Sequence, residues 1–205
     1  SRAAGTTGKC LVLITPDAER SVNTSLGIGE TLSVEDVHAA AIAASEYLYI
    51  EGYLVTSATG LAAAVRAREL AQDAGVKTAL SFSDPGMVEY FREGMARIIG
   101  NGLDLVFCNE AEALQWGETD SLAVAIEKLK QIANSFVITR GAEGAITFDG
   151  SEQVAIPPHQ VQAVDSNGAG DMFAGAFLYA ISRGEDFATA GRFASLAAGR
   201  IVANY

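Results

Sequence analysis

Short, nearly continuous apolar runs alternate along this chain with stretches of helical periodicity. Tyr47–Ile50, Thr78–Phe82, Leu105–Cys108 and Phe136–Thr139 are hydrophobic at almost every position, the pattern of strands covered by helices on both faces. Helix signals lie between them. Ser33 with Asp36 predicts a capping-box start for a helix over Val34–Ala44. Leu61–Ala74 is rich in Ala, Arg and Leu and stops before Gly75. Asp84 and Pro85 read as N-cap and first-turn proline of a helix running to Ile99. Leu122–Ala133 predicts a further helix. This alternation implies βαβ units and an α/β fold built on a mostly parallel sheet.

The start of the chain departs from that rhythm. Cys10–Thr15 and Ser21–Leu26 are β-like and joined by Pro16-Asp17-Ala18-Glu19-Arg20, which predicts a hairpin acting as a flap or lid over residues 1–30. A second β pair is expected at Ala145–Phe148 and Gln153–Ile156 around the Asp149-Gly150 turn. Residues 31–205 would then form the α/β domain proper.

Composition narrows the class of function. The 205 residues are 49 % hydrophobic and 19 % charged, as in an ordered globular chain. The net charge is −11. Without a basic stripe the chain lacks the cations that displace counterions from nucleic acid, so that partner is set aside. No apolar run reaches the ~18–20 residues of a membrane span, and the start shows no signal-peptide pattern. No membrane partner and a cytoplasmic location are therefore expected. Cys10 and Cys108, the two cysteines, each sit inside an apolar run and are expected to be buried free thiols.

The chemistry concentrates in Asp165-Ser166-Asn167-Gly168-Ala169-Gly170-Asp171, which leads into the helical run Met172–Ser182. Small residues at a helix entry let backbone amides approach an anion, and the first helical turn adds unpaired donors and positive dipole charge. Gly168, Ala169 and Gly170 would form an anion hole, and Asp171 at its rim would take the proton of an attacking hydroxyl. The plain alternative is a glycine-rich helix entry capped by an aspartate. Asn109 and Glu112 lie three apart at a helix start, on one face. Such a pair can hold the waters of Mg²⁺ or simply form a capping box, and the two readings are compatible. Thr139, Arg140, Gly141 and Gly144 sit where a strand ends in a turn, the usual place for ligands in open α/β sheets. Arg140 could neutralise phosphate or simply be exposed, and Gly144 could serve only to give the turn a positive φ.

The segment Asp165–Asp171 followed by Met172-Phe173-Ala174-Gly175-Ala176-Phe177 closely resembles the C-terminal signature of the ribokinase/PfkB family of carbohydrate and nucleoside kinases. Asn109-Glu110-Ala111-Glu112 matches that family's Asn-x-x-Glu motif, and Ile138–Ala145 is similar to its nucleotide-binding strand and turn. Ile14–Leu26 resembles the lid hairpin of the adenosine-kinase-like branch. The resemblance implies a ribokinase-like three-layer α/β/α sandwich and an ATP- and Mg²⁺-dependent transfer of the γ-phosphoryl to a sugar or nucleoside hydroxyl. It places Thr139 and Gly141 on the nucleotide phosphates. It also puts Asp165 and Asn167 beside a monovalent cation such as K⁺, with a turn-forming role as the lesser alternative for Asp165.

Members of the family carry a further N-terminal segment that grips the acceptor, and nothing here corresponds to it. The chain is accordingly expected to be an incomplete kinase domain, aggregation-prone or paired with a second copy. Two other readings follow, a nucleotide-binding segment without turnover and a pyridoxal-type kinase. Among the remaining residues, Met172, Phe173, Phe177 and Ile181 are expected in the core. Trp116 and Tyr53 are expected to pack in the core or at its edge, and Glu51-Gly52-Tyr53 ends a strand on the ligand side. His38 and His159 lack triad or metal-ligand spacing and read as surface or helix-end residues.

Overall fold

The computed structural model describes residues 4–14 and 20–203. The chain is an α/β fold whose central, mostly parallel sheet is flanked by helices. The strands are β1 (Thr7–Ile14), β2 (Arg20–Gly27), β3 (Tyr47–Glu51), β4 (Lys77–Ser81), β5 (Leu103–Asn109), β6 (Ala133–Thr139), β7 (Ala145–Phe148) and β8 (Gln153–Ile156). The helices are α1 (Ala39–Ala43), α2 (Ala58–Asp73), α3 (Pro85–Tyr90), α4 (Arg92–Ile99), α5 (Glu110–Gly117), α6 (Leu122–Leu129), α7 (Ala169–Ser182) and α8 (Phe187–Val202). β1 and β2 form a two-stranded sheet, and β3 to β8 lie in sequence order in a six-stranded one. The stretch 15–19, which carries most of the expected hairpin connection, lies outside the described residues.

Two compact units divide the chain: residues 4–8 with 26–136, and residues 9–14 and 20–25 with 137–203. In the first, β3 pairs parallel with β4 in the register Ile50↔Leu80, and β4 with β5 in the register Leu80↔Val106. Leu80, Val106, Leu105, Phe82, Val88, Met95 and Ile98 are fully buried there. Truncating one of the buried leucines would cost about 2–5 kcal/mol. In the second unit, β7 and β8 pair antiparallel, Ala145↔Ile156 through Phe148↔Gln153. Phe177 of α7 is fully buried and meets Phe187 of α8 edge-on at 5.0 Å.

Several expectations are corrected. The Ser33–Asp36 capping box forms, but it starts a 3-10 turn over Val34–Asp36 and not a helix to Ala44. Val37 and His38 are extended before α1 begins. Val37 thereby packs against the cluster of Ile42, Ala67, Ala71 and Val76, so tertiary packing overrides local helical preference. The helix expected through Ile99 breaks at Phe91, whose backbone leaves the helical region (φ −122°, ψ 27°). α6 ends at Leu129, and Ala133 is already strand. The Leu103 amide donates to the Ile132 carbonyl at 3.0 Å, recruiting that end of the segment into sheet pairing. Cys108 is buried as expected, but Cys10 is exposed because β1 is a strand of a two-stranded sheet with little cover. Met172 is 38 % exposed, since the core face of α7 runs through Phe173, Ala176, Phe177 and Ala180.

Candidate functional site

In the second unit, β6 delivers Thr139 to a tight turn. The Arg140 amide donates to the Gly144 carbonyl at 2.8 Å, and a 3-10 turn over Gly141–Glu143 closes the loop. Gly144 has φ +87°, and a side chain there would run into the carbonyl oxygen of Ile156. Only glycine fits this position. Arg140 is ion-paired to Glu143 at 2.5 Å, so its charge is already met within the turn.

The segment Asp165–Gly168 then enters α7. The Val164 and Asp165 amides both donate to the Val202 carbonyl, at 2.7 and 3.2 Å. Asp165 Oδ1 accepts from the Asn167 amide at 2.8 Å, an Asx turn. Gly168 is the N-cap in the left-handed region (φ +74°) and no side chain caps the helix. The first amides of a helix have no intrahelical partner; here the N-cap offers no side chain, and the Ala169 amide donates to the Ser166 carbonyl at 3.3 Å. Asp171 lies in that first turn and is exposed.

Between these two loops is a cavity of about 580 Å³, within the usual range for small-molecule sites. It brings together Thr139, Gly141 and Gly144 from the turn with Ala169 and Gly170 from α7. Gly168, Asp171, Asp165, Asn167 and Arg140 adjoin these residues in sequence without lining it. Its far wall comes from His159 and from the small residues Ser195, Ala198 and Gly199 of α8. The sequence did not reveal that wall, because Ser195, Ala198 and Gly199 form no motif on their helix and His159 reads as an isolated surface residue. Among the described residues, no charged side chain lines the cavity.

The first unit holds a different junction. Asn109 caps α5 in a complete capping box: its side chain accepts from the Glu112 amide at 2.8 Å, and its own amide donates to Glu112 Oε2 at 2.8 Å. Asn109 Nδ2 also donates to Glu112 Oε1 at 2.9 Å. Glu112 is only 4 % exposed. Burial pushes its carboxyl up to about 7, against the Asn109 amide, which lowers it, and with the nearby Asp84 carboxylate, which raises it further. Burial, with a smaller push from Glu112, likewise raises the Cys108 thiol.

Asp84 therefore matters electrostatically as well as capping α3, where it accepts from the Gly86 amide at 2.8 Å. At the ends of β3 and β4, Ser83 Oγ donates to Glu51 Oε2 at 3.0 Å, and Tyr53 Oη donates to the Ser83 carbonyl at 3.3 Å. Trp116 is buried with the Arg92 guanidinium 4.6 Å from its ring centroid, a packing role. Among the described residues there is no group of three or more His, Cys, Asp or Glu side chains placed to hold a metal. No described helix is long and apolar enough to cross a membrane.

Residues 2–205 match the pfkB family of carbohydrate kinases. The chain belongs to that family. Among its pfkB relatives, it is 32 % identical over 206 residues to an adenosine kinase from Schizophyllum commune, covering 88 % of this chain and 58 % of that protein. It is 37 % identical over 114 residues to a cytidine kinase from Thermococcus kodakarensis, covering 54 % of this chain and 41 % of the relative. The crystal structure of adenosine kinase from Sinorhizobium meliloti superposes with a TM-score of 0.92 at 32 % identity, covering 97 % of this chain and 61 % of that one. The chain thus spans less than two thirds of the length of these relatives.

Proposed function

We propose that this chain carries the nucleotide-binding and phosphoryl-transferring part of an ATP-dependent kinase acting on a hydroxyl of a nucleoside or sugar. The observation that carries the reading is the cavity with Ala169 and Gly170 of an uncapped helix start on one side and Gly141 and Gly144 on another. Oriented amides at such a helix start stabilise phosphate charge. The adenosine and cytidine kinases among its relatives favour a nucleoside as acceptor. Readings as a silent nucleotide-binding segment or a pyridoxal-type kinase draw no support from them.

In this reading Gly168, Ala169 and Gly170 hold the γ-phosphoryl, with Thr139, Gly141 and Gly144 shaping the path of the remaining phosphates. The acceptor oxygen attacks the γ-phosphorus, the bond to the β–γ bridging oxygen breaks, and ADP leaves. Asp171, exposed beside the anion hole, takes the proton released by the hydroxyl. With a loose transition state that proton leaves late, so positioning and charge stabilisation supply most of the catalysis. Arg140 joins the phosphate contacts only by leaving Glu143.

Glu112 and Asn109 occupy each other, yet each Glu112 oxygen keeps acceptor capacity beyond its one bond from Asn109. The pair fits Mg²⁺ held through its waters and not direct ligation, which would break the capping box. Bound with the nucleotide, Mg²⁺ would neutralise phosphate charge. Asp165 and Asn167 are the candidates for a monovalent cation such as K⁺, to be held by the Asp165 carboxylate and loop carbonyls. No step depends on it.

The test is calorimetric titration with Mg·ATP combined with ADP release in the presence of adenosine, cytidine or ribose. ATP binding with acceptor-dependent ADP release supports the reading. Binding of neither ATP nor ADP would remove it.

A further inference from the structure

The outer face of α7 lacks the charges that a solvated helix carries. From Met172 to Ser182 there is no charged residue, and Phe173, Ala176, Phe177 and Ala180 are buried on the core side. A helix that borders solvent normally turns a charged or polar face to it, and one that is apolar all round lies covered. Yet Met172 is 38 % exposed and Tyr179 60 %, and Gly175 between them is exposed too. Phe193 of α8 is 44 % exposed, with its ring 6.1 Å from that of Tyr179. The outer positions of α8, by contrast, include Arg192 and Arg200.

Asp171, Gly175, Tyr179 and the C-cap Arg183 follow one another at intervals of four positions, and all are exposed. They form one i±4 row, a ridge of the kind that packs beside its equal at a crossing angle of about 50°. This ridge is complementary to its own reverse. Laid antiparallel beside the same ridge of a second copy, and centred between Gly175 and Tyr179, it sets Asp171 against Arg183 of the second copy at both ends. It also sets Tyr179 against Gly175 of the second copy, where a Cβ would meet nothing within 4 Å, so the ring has room. The chain carries a net charge of −11. Two copies therefore repel over most of their surface, and a ridge whose acid is met by an arginine is where they can touch.

We infer that this ridge is a self-association surface, on which α7 packs antiparallel against α7 of a second copy of the chain. Tyr179 fills the space over Gly175 of the other copy and is the anchor, since a large aromatic seated on a small residue carries most of the affinity of such a contact. The two Asp171–Arg183 pairs close its ends and fix the antiparallel direction, and Phe193 of α8 flanks it. The inference does not rest on the nucleotide reading above. Because the contact takes in Asp171, pairing competes with an acceptor at that carboxylate.

The experiment is sedimentation equilibrium of the chain over a range of concentrations, on the wild type and on variants. The wild type is expected to show a monomer–dimer equilibrium. Tyr179→Ser is expected to raise its dissociation constant about tenfold or more. Gly175→Leu occupies the space that the Tyr179 ring of the second copy needs, and should raise the constant by about as much. It should not lower the thermal unfolding midpoint, since leucine is the better helix former. Arg183→Asp is expected to weaken pairing several-fold, and the swap Asp171→Arg with Arg183→Asp to bring it back to within about threefold of wild type. Far-UV circular dichroism checks the fold of each variant, and Tyr179→Ser with Gly175→Leu decides the matter if the swap does not fold. A wild-type chain that stays monomeric at every concentration overturns the inference. So does a dimer whose constant is unchanged by Tyr179→Ser and Gly175→Leu, which would place the contact elsewhere. A folded swap variant that pairs no better than Arg183→Asp alone overturns the antiparallel ridge.

Discussion

Two helix starts in this chain are built from similar polar residues and end up opposite in character. At α5, Asn109 and Glu112 satisfy each other's donors and acceptors, and Glu112 is almost fully buried. At α7, the N-cap is glycine, no side chain caps the helix, and Asp171 is exposed in the first turn. The first start is closed by its own side chains and therefore rigid. At the second no side chain caps the helix, and the Ala169 amide donates to the Ser166 carbonyl at 3.3 Å. In the proposed reading the ligand is met at the start without a side-chain cap, while the capped one contributes to stability.

Substitutions can break this contrast, and the largest effect is expected at Asp171. Asp171→Asn keeps the shape of the helix start and removes the proton acceptor. Acceptor-dependent ADP release is expected to fall by roughly 10²–10⁴-fold, while the dissociation constant for ATP stays within about threefold. Unchanged turnover, read by coupled ADP assay, would take Asp171 out of the mechanism.

The closed start should respond in stability instead. Asn109→Ala removes the cap and leaves the Glu112 oxygens without their partner. A loss of about 1–3 kcal/mol in urea unfolding is expected. A change below about 0.5 kcal/mol would show that the box is not load-sharing in the folded state.

Glu112 sharpens the same point through pH. Its carboxyl is raised from 4.5 in the unfolded chain to about 7 in the folded one. Between those values the folded state holds the extra proton, so the contribution of this group is fully present below about pH 4.5. It is lost as pH rises through about 7, by up to about 3 kcal/mol. Replacing Glu112 with Gln removes that titration. Stability of the wild type relative to Glu112→Gln is expected to decline from pH 5 to pH 8, and a flat difference would contradict the assignment.

The smallest effect is expected at Gly170, where function and stability should move in opposite directions. A Cβ at this position meets nothing within 4 Å, and alanine in a helix is favoured over glycine by roughly 0.5–1 kcal/mol. Gly170→Ala is expected to leave stability equal or slightly higher while weakening Mg·ATP several-fold, because the methyl group crowds the phosphate path. Equal affinity would mean that the phosphates do not approach this turn.

The sequence was legible where local rules act alone. β7 and β8 were read to the residue, because a short strand, Asp149-Gly150 and a second short strand leave little choice of pairing. The caps at Ser33, Asp84 and Asn109 all formed, since each depends on neighbours within one turn. Helix lengths were less legible. The broken helix after Ser33 and the early end of α6 arise from packing and sheet pairing with residues distant in sequence. The raised carboxyl of Glu112 was invisible for the same reason, as it depends on burial and on Asp84. The helix entry Asp165–Asp171 was legible as a place for a site, and Ser166, Ala169 and Gly170 do line the cavity, but its α8 wall could not be read. His159, Ser195 and Gly199 come together at one cavity only in the fold.

The central claim, that the start of α7 receives the terminal phosphate, is tested most directly by amide chemical shifts. Two-dimensional ¹⁵N–¹H spectra of the labelled chain would be recorded with Mg·ADP and then with a non-hydrolysable Mg·ATP analogue. The amides of Ala169, Gly170 and Asp171 should shift when the γ-phosphate is added, while those of Asn109 and Glu112 change little. Shifts that are identical with and without the γ-phosphate at these three positions would contradict it.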